Sequence, residues 1–183
     1  MNEQALADEL DMSNTPVREA LAALTQQGYL KKIPRVGYCV RELTIDEYVD
    51  LFHLRYILEC GIIRHIISFC TDEEILSLRK YVENKGQDYE TYSTENVEFH
   101  IALAKLTKNK FIVNHMRRIF NLNPRWISTY FFDQVHEDPH ARHRELIDYL
   151  LQRDVKEAIA WEGREMVWAD GNIPHFVPPE QYT

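Results

Sequence analysis

The sequence predicts a mostly all-α protein with one small β-hairpin near its front end. Three observations carry this. Apolar residues recur at helical spacing over residues 3–28 and again from Thr44 onward. Two short strand-like runs, Tyr29–Ile33 and Gly37–Val40, flank the turn residues Pro34-Arg35-Val36. Six glycines and seven prolines in 183 residues are too few for a loop-rich β fold or a disordered chain.

Residues 3–10 read as a short helix with Ala5, Leu6 and Leu10 on one side. Residues 11–14 make a tight connection. Ser13 or Thr15 is placed to cap the next helix, and Pro16 fits its first turn, where a missing N–H has no helical partner. Val17, Ala20, Leu21 and Leu24 recur along that helix, and Gly28 ends it. Helix, turn, helix, hairpin is the order of a winged helix-turn-helix, here spanning residues 1–41.

From Thr44 the pattern is helical throughout. Residues 44–69 read as one long helix with Ile45, Leu51, Phe52, Leu58, Ile62 and Ile66 among its apolar positions. Thr71 and Glu74 form a capping box for a helix reaching about Asn84, before Gly86. Further helices are expected over 91–107, over 109–121 ahead of Pro124, and over the aromatic run Trp126–Phe132. Pro139 starts one that runs to Arg153. Asp154 and Glu157 form a second capping box for the last, reaching about Ala169. Residues 44–170 are thus an all-helical bundle. Pro174, Pro178 and Pro179 exclude a regular helix from the tail, 171–183.

Composition narrows the function. The formal charge is −8, but residues 1–41 carry five acidic and five basic side chains, so the whole deficit lies in the body. An acidic body disfavours non-specific nucleic-acid binding, yet it leaves room for a neutral-to-basic reading head. Cys39, Cys60 and Cys70 form no close pair, which points to a reducing cytoplasm. The most apolar stretch, residues 57–70, is interrupted by Glu59, Arg64 and His65 and is too short to span a membrane.

The second helix of a helix-turn-helix meets the major groove with its N-terminal residues, here Asn14, Thr15 and Arg18. Arginine grips guanine or phosphate with two donors, and asparagine and threonine serve either role. Lys31, Lys32 and Arg35 on the hairpin are placed for backbone phosphates or the minor groove. The alternative is a solvated face, with Arg18 paired to Glu19 or to water.

The stretch Ser13-Asn14-Thr15-Pro16-Val17-Arg18-Glu19-Ala20-Leu21, with Leu24, Gly28, Leu30, Arg35 and Gly37, resembles the winged helix of the GntR family of bacterial transcriptional regulators. The resemblance is to its FadR-type, or FCD, branch. It continues through Leu54-Arg55-Tyr56-Ile57-Leu58-Glu59, Phe99-His100-Ile101-Ala102-Leu103 and His143-Arg144-Glu145-Leu146-Ile147. It implies a homodimer on a double-stranded DNA operator, acting most often as a repressor, with binding altered by a small metabolite held in the helical domain. The family's head has an earlier helix and short strand, whereas this sequence starts at Met1, inside the motif. Leu6, Leu10, Leu21 and Leu24 are therefore expected to lose cover, and the chain to bind operator DNA poorly or not at all.

The resemblance also implies a divalent metal ion, zinc or in its place nickel or manganese. Its ligand positions fall here on Asn96, His100, His143 and Glu165. Asn96 stands where the family commonly has aspartate, and Glu165 where it has histidine. Two imidazoles, a carboxylate and an amide oxygen suit such ions, with His140 as an alternative ligand. The other reading is interior histidines in a polar network. Arg55 lies among apolar residues and needs a carboxylate. The resemblance assigns that to an organic-acid effector, and an i,i+4 pair with Glu59 is the plainer choice. Tyr92, Trp126, Tyr130 and Trp161 are candidates to line the cavity, or ordinary core. No motif supplies a nucleophile or general base, so a non-enzymatic regulator is the leading reading. A metal-dependent hydrolase or oxygenase and a helical dimer with an inactive head are the alternatives.

Overall fold

The computed structural model describes residues 1–83, 89–122, 138 and 140–167. The chain forms two compact units, Met1–Leu43 and Thr44–Thr183. The expected helix over Trp126–Phe132, with Trp126 and Tyr130, and the tail from residue 171 lie outside the described residues.

In the first unit, α1 (Glu3–Glu9) and α2 (Asn14–Gln26) pack together. A hairpin of β1 (Leu30–Ile33) and β2 (Gly37–Val40) follows, antiparallel with Leu30 opposite Val40. Asn2 caps α1 by accepting the Gln4 amide. Ser13 occupies the N-cap of α2, but its hydroxyl makes no capping bond, contrary to expectation. Gly28 takes a positive φ of 86° after α2, a conformation its missing Cβ permits. A small core of Ala7, Val17, Leu21, Leu30 and Tyr38 closes the unit. Leu10 and Leu24 are 53% and 39% exposed, whereas Leu21 is buried.

The second unit is built on α3 (Ile45–Phe69), whose 25 residues make a rod of about 37 Å. The Thr44 hydroxyl accepts the Glu47 amide and the Glu47 carboxylate accepts the Thr44 amide, a complete capping box. After it come α4 (Asp72–Leu76) and a single 3-10 turn at Arg79–Tyr81. Here the expectation of a helix reaching Asn84 fails. The Thr71–Glu74 box forms, but the Ser77 hydroxyl bonds the Glu74 carbonyl and the helix stops after five residues. Then follow α5 (Tyr89–Leu106), α6 (Lys110–Leu122), α7 (Ala141–Gln152) and α8 (Val155–Val167). The Asp154 carboxylate accepts the Glu157 amide at the head of α8. Arg153 closes α7 in the left-handed region, at φ 59°.

α3 packs against α5, α6, α7 and α8. The core is one cluster containing Ile62, Ile66, Phe99, Leu103, Met116, Leu146, Leu150 and Trp161. Ile66 is fully buried. Truncating it to alanine is expected to lower stability by about 2–5 kcal/mol. Thr44→Ala, which removes only a cap, should lower it by about 1 kcal/mol. Urea unfolding of both variants checks the order; a larger loss from Thr44→Ala would contradict it.

Candidate functional site

Each expected reading-head residue has a definite setting. Asn14 is half-buried and its amide donates to Gln4 Oε1 at 2.6 Å. Thr15 is exposed. The Arg18 side chain is 66% exposed and pairs with Glu3 across the α1–α2 junction at 3.1 Å, not with Glu19. The same Glu3 carboxylate accepts the Tyr38 hydroxyl, and these two bonds hold its pKa below the usual glutamate value. The strand alternation separates the two lysines. Lys32 faces Tyr38 across the hairpin, its ammonium 5.4 Å from the ring centroid, whereas Lys31 stands opposite Cys39. Arg35 is exposed at the hairpin tip, at φ 66°. Thr15, the Arg18 side chain and Arg35 are thus each exposed, whereas Lys31 and Lys32 alternate along β1.

The body gathers a polar cluster inside its apolar core. α3 contributes Arg55 and Glu59, one helical turn apart. α5 contributes His100, α7 contributes His143, and α8 contributes Trp161 and Glu162. All six are buried; Arg55 is the most exposed, at 8%. Arg55 Nε donates to Glu59 Oε2 at 3.3 Å, and Nη2 donates to His100 Nε2 at 2.9 Å. His100 Nδ1 lies 2.8 Å from Glu59 Oε1. Arg55 Nη2 also stands 3.3 Å from Nδ1, and among the described residues Glu59 Oε1 completes no hydrogen bond; the 2.9 Å contact makes Nε2 the acceptor when the ring is neutral. Phe120 stacks on His100 and underlies the Arg55 guanidinium, 4.9 Å from its centroid.

The charges settle accordingly. Burial pushes Glu59 upward, but Arg55 and His100 outweigh it and hold the carboxyl far below the usual range. Burial, with Arg55 adding to it, lowers His100 despite Glu59. Burial first and then His100 and His140 push His143 well below the ordinary imidazole value. Burial and the neighbouring Glu59 charge push Glu162 well above the ordinary glutamate value.

The four expected metal ligands do not assemble. His100 and His143 are neighbours, with ring centroids 5.3 Å apart. His100 Nε2 faces the Arg55 guanidinium, and Nδ1 lies 2.8 Å from Glu59 Oε1. Glu165 lies 2.8 Å from Arg142. Asn96 is half-buried one turn before His100. The alternative, His140, gives Nε2 to Glu95 at 2.8 Å and sets Nδ1 3.4 Å from His143 Nδ1. Tyr92 packs on His140, with ring centroids 5.3 Å apart. Among the described residues no group of three or more His, Cys, Asp or Glu is placed to hold a metal ion. The described side chains here form a polar network built around an arginine. Sequence reasoning missed Glu162 and Glu95 altogether and weighed Glu59 only as a surface-type pair. The one signal for Glu162 was its place on α8 beside Trp161, three residues before Glu165.

A helix-turn-helix with a hairpin, joined in one chain to a helical bundle with a buried polar cluster, defines a ligand-responsive DNA-binding regulator. The comparisons agree. Residues 1–40 match the bacterial regulatory proteins of the gntR family, and residues 50–161 match the FCD domain. The chain belongs to the GntR family of bacterial transcriptional regulators and carries an FCD domain. It is 31% identical over 167 residues to the Nta operon transcriptional regulator of Aminobacter aminovorans, covering 88% of this chain and 78% of that one. It is 26% identical over 118 residues to the gluconate operon transcriptional repressor of Bacillus licheniformis, covering 62% of this chain and 48% of the repressor. The solved structure of E. coli McbR/YncC superposes with a TM-score of 0.77 at 19% identity, covering 100% of this chain and 88% of that one.

Buried titrations give the cluster a pH signature. His100 and His143 are neutral in the folded protein where the unfolded chain binds protons, so their stability contribution is lost as pH falls below the ordinary 6.5. Glu162 acts in the opposite sense. The folded protein keeps a proton that the unfolded chain releases above 4.5, so stability is lost as pH rises past that value. Glu162→Gln is therefore expected to raise Tm at about pH 7 and to leave it unchanged near about pH 4. Thermal melts across pH check this, and an equal effect at both ends would contradict it.

Proposed function

We propose that this chain is a metabolite-responsive repressor that acts as a homodimer on a double-stranded operator in the cytoplasm. Arg18, with Asn14 and Thr15, reads the major groove, while Lys31, Lys32 and Arg35 meet the backbone from the hairpin, Lys31 and Lys32 from opposite faces. Arg18 must leave Glu3 to do so. That exchange costs little, because an exposed ion pair contributes at most about 1 kcal/mol. The repressor sense rests on the relative named as a repressor. The homodimer is supported by exposed apolar side chains on α3 and α6, among them Ile57, Phe69 and Phe111. No helix among the described residues is long and apolar enough to cross a membrane.

The single observation that carries the sensing role is the buried guanidinium of Arg55 at the meeting of α3, α5 and α6. An organic-acid effector gripping Nη1 and Nη2 together displaces His100 from Nη2, and so changes how α3 engages α5. The effector then favours one arrangement of the protein over another, which is all that regulation requires. The scheme itself needs no divalent ion, because the Arg55 guanidinium supplies the carboxylate's partner.

The test is a gel shift of the purified chain on DNA upstream of its own gene. Specific retention is expected, against the poor binding inferred from the sequence, because Ala7, Val17, Leu21, Leu30 and Tyr38 still close a core in the head; it should weaken steeply as salt is raised. Arg18→Ala is expected to weaken it by about 5- to 100-fold. No specific retention at any salt, or an unchanged affinity in the variant, would overturn the reading-head assignment.

A further inference from the structure

The negative charge of the body is unevenly spread. Residues 99–132 contain no aspartate or glutamate, yet Lys105, Lys108, Lys110, Arg117 and Arg118 fall among them. Lys108 pairs with Glu74. Lys105 on α5 and Arg117 on α6 are exposed, and among the described residues neither side chain has a hydrogen-bond or ion-pair partner. Two unmatched cations on adjacent helices raise the local concentration of anions, even on an acidic protein.

These two cations line one cavity. It has a volume of about 250 Å³ and lies between α5, α6 and the 3-10 turn. On α5, Glu98, Ile101 and Lys105 follow at intervals of three and four residues and so share a face. Arg117 and Asn121 do the same on α6. Ile101 is buried and, with Val97 and the Tyr81 ring, gives the cavity its apolar part. Apolar walls with a few polar groups at the edge are the usual make-up of a small-molecule site. The charges narrow the class. Two cations and one carboxylate leave a single positive charge in excess. One negative charge balances it, whereas a dianion would meet repulsion from Glu98 with nothing to offset it. The volume lies just below the roughly 300–1,000 Å³ of ordinary ligand sites, which leaves room for a single ring or a short chain.

We propose that this cavity is a second ligand site, separate from the Arg55 cluster, for a small monocarboxylate with an apolar body. The carboxylate bridges Lys105 and Arg117, whose side chains are long enough to converge on it, and the body lies against Ile101, Val97 and Tyr81. The site stands independently of the reading of Arg55. It shares both helices with that cluster: His100 precedes Ile101 on α5, and Phe120 precedes Asn121 on α6.

The experiment is calorimetric titration of the full chain with three monocarboxylates (benzoate, phenylacetate and hexanoate), with neutral benzamide and with the dianion phenyl phosphate. At least one monocarboxylate is expected to bind at millimolar concentration, and more tightly than benzamide or phenyl phosphate. Lys105→Ala and Arg117→Ala together are expected to weaken that binding by about tenfold or more, since both charge-assisted bonds are lost. Lys110→Ala removes an exposed cation of α6 that does not line the cavity, and is expected to leave binding unchanged. All three positions are exposed, and melts of the variants check that they fold. Binding that survives the double substitution, or that falls as far with Lys110→Ala, overturns the site. Benzamide or phenyl phosphate binding as tightly as the best acid overturns the monocarboxylate class. Binding of none of the three acids overturns the inference and leaves the Arg55 reading standing.

Discussion

One buried positive charge organises the body of this protein. Arg55 sits in the middle of α3, the helix against which α5, α6, α7 and α8 all pack. A guanidinium in that position is tolerable only if its charge is matched at short range. Glu59 supplies the opposite charge one turn along the same helix, and His100 reaches in from α5 to accept a second hydrogen bond. Phe120 covers the guanidinium from α6. Each partner comes from an element that must be in place before the arginine is satisfied, so the cluster and the bundle specify one another. Such a network adds little to net stability, because desolvation consumes most of the attraction. It gives the bundle a polar centre that a ligand can compete for.

The reading head depends on a different constraint. A core of five buried residues holds two helices and a hairpin together. Tyr38 links the parts. Its ring is buried, its hydroxyl donates to Glu3 on α1, and its backbone carbonyl and amide meet Met1. Gly37 beside it has φ 131°, and a Cβ there would run into the Met1 carbonyl. The glycine is needed at that point for close approach as well as for conformation. Glu3 thus ties Arg18 and Tyr38 to the same carboxylate, which orients the arginine while leaving it exposed.

Much of the fold was legible in the residues. The capping box at Thr71, the Asp154 cap of α8, the end of α2 at Gly28 and the hairpin around Pro34-Arg35-Val36 all appear where local chemistry places them. These features are decided within a few residues, by hydroxyls, carboxylates and φ preferences close in sequence. The failure after Leu76 has an equally local cause, because Ser77 bonds back to the Glu74 carbonyl and periodicity takes no account of such a bond. The site was less legible. His100, His143 and Arg55 lie together in the buried cluster, but nothing in the residue pattern said that Glu165 pairs with Arg142 or that His100 meets both Arg55 and Glu59.

By itself, then, the sequence determined the helices, the hairpin, the acidic body with its neutral head, and the family, because these follow from periodicity, local hydrogen bonding and contiguous motifs. Only the tertiary structure decided which side chains share the buried cluster. Glu162 lies more than a hundred residues from Glu59, and nothing local in either stretch says that their carboxyls will meet. Their protonation, and the choice between a metal-type and an arginine-centred site, depends on distances between helices, which a linear pattern does not contain.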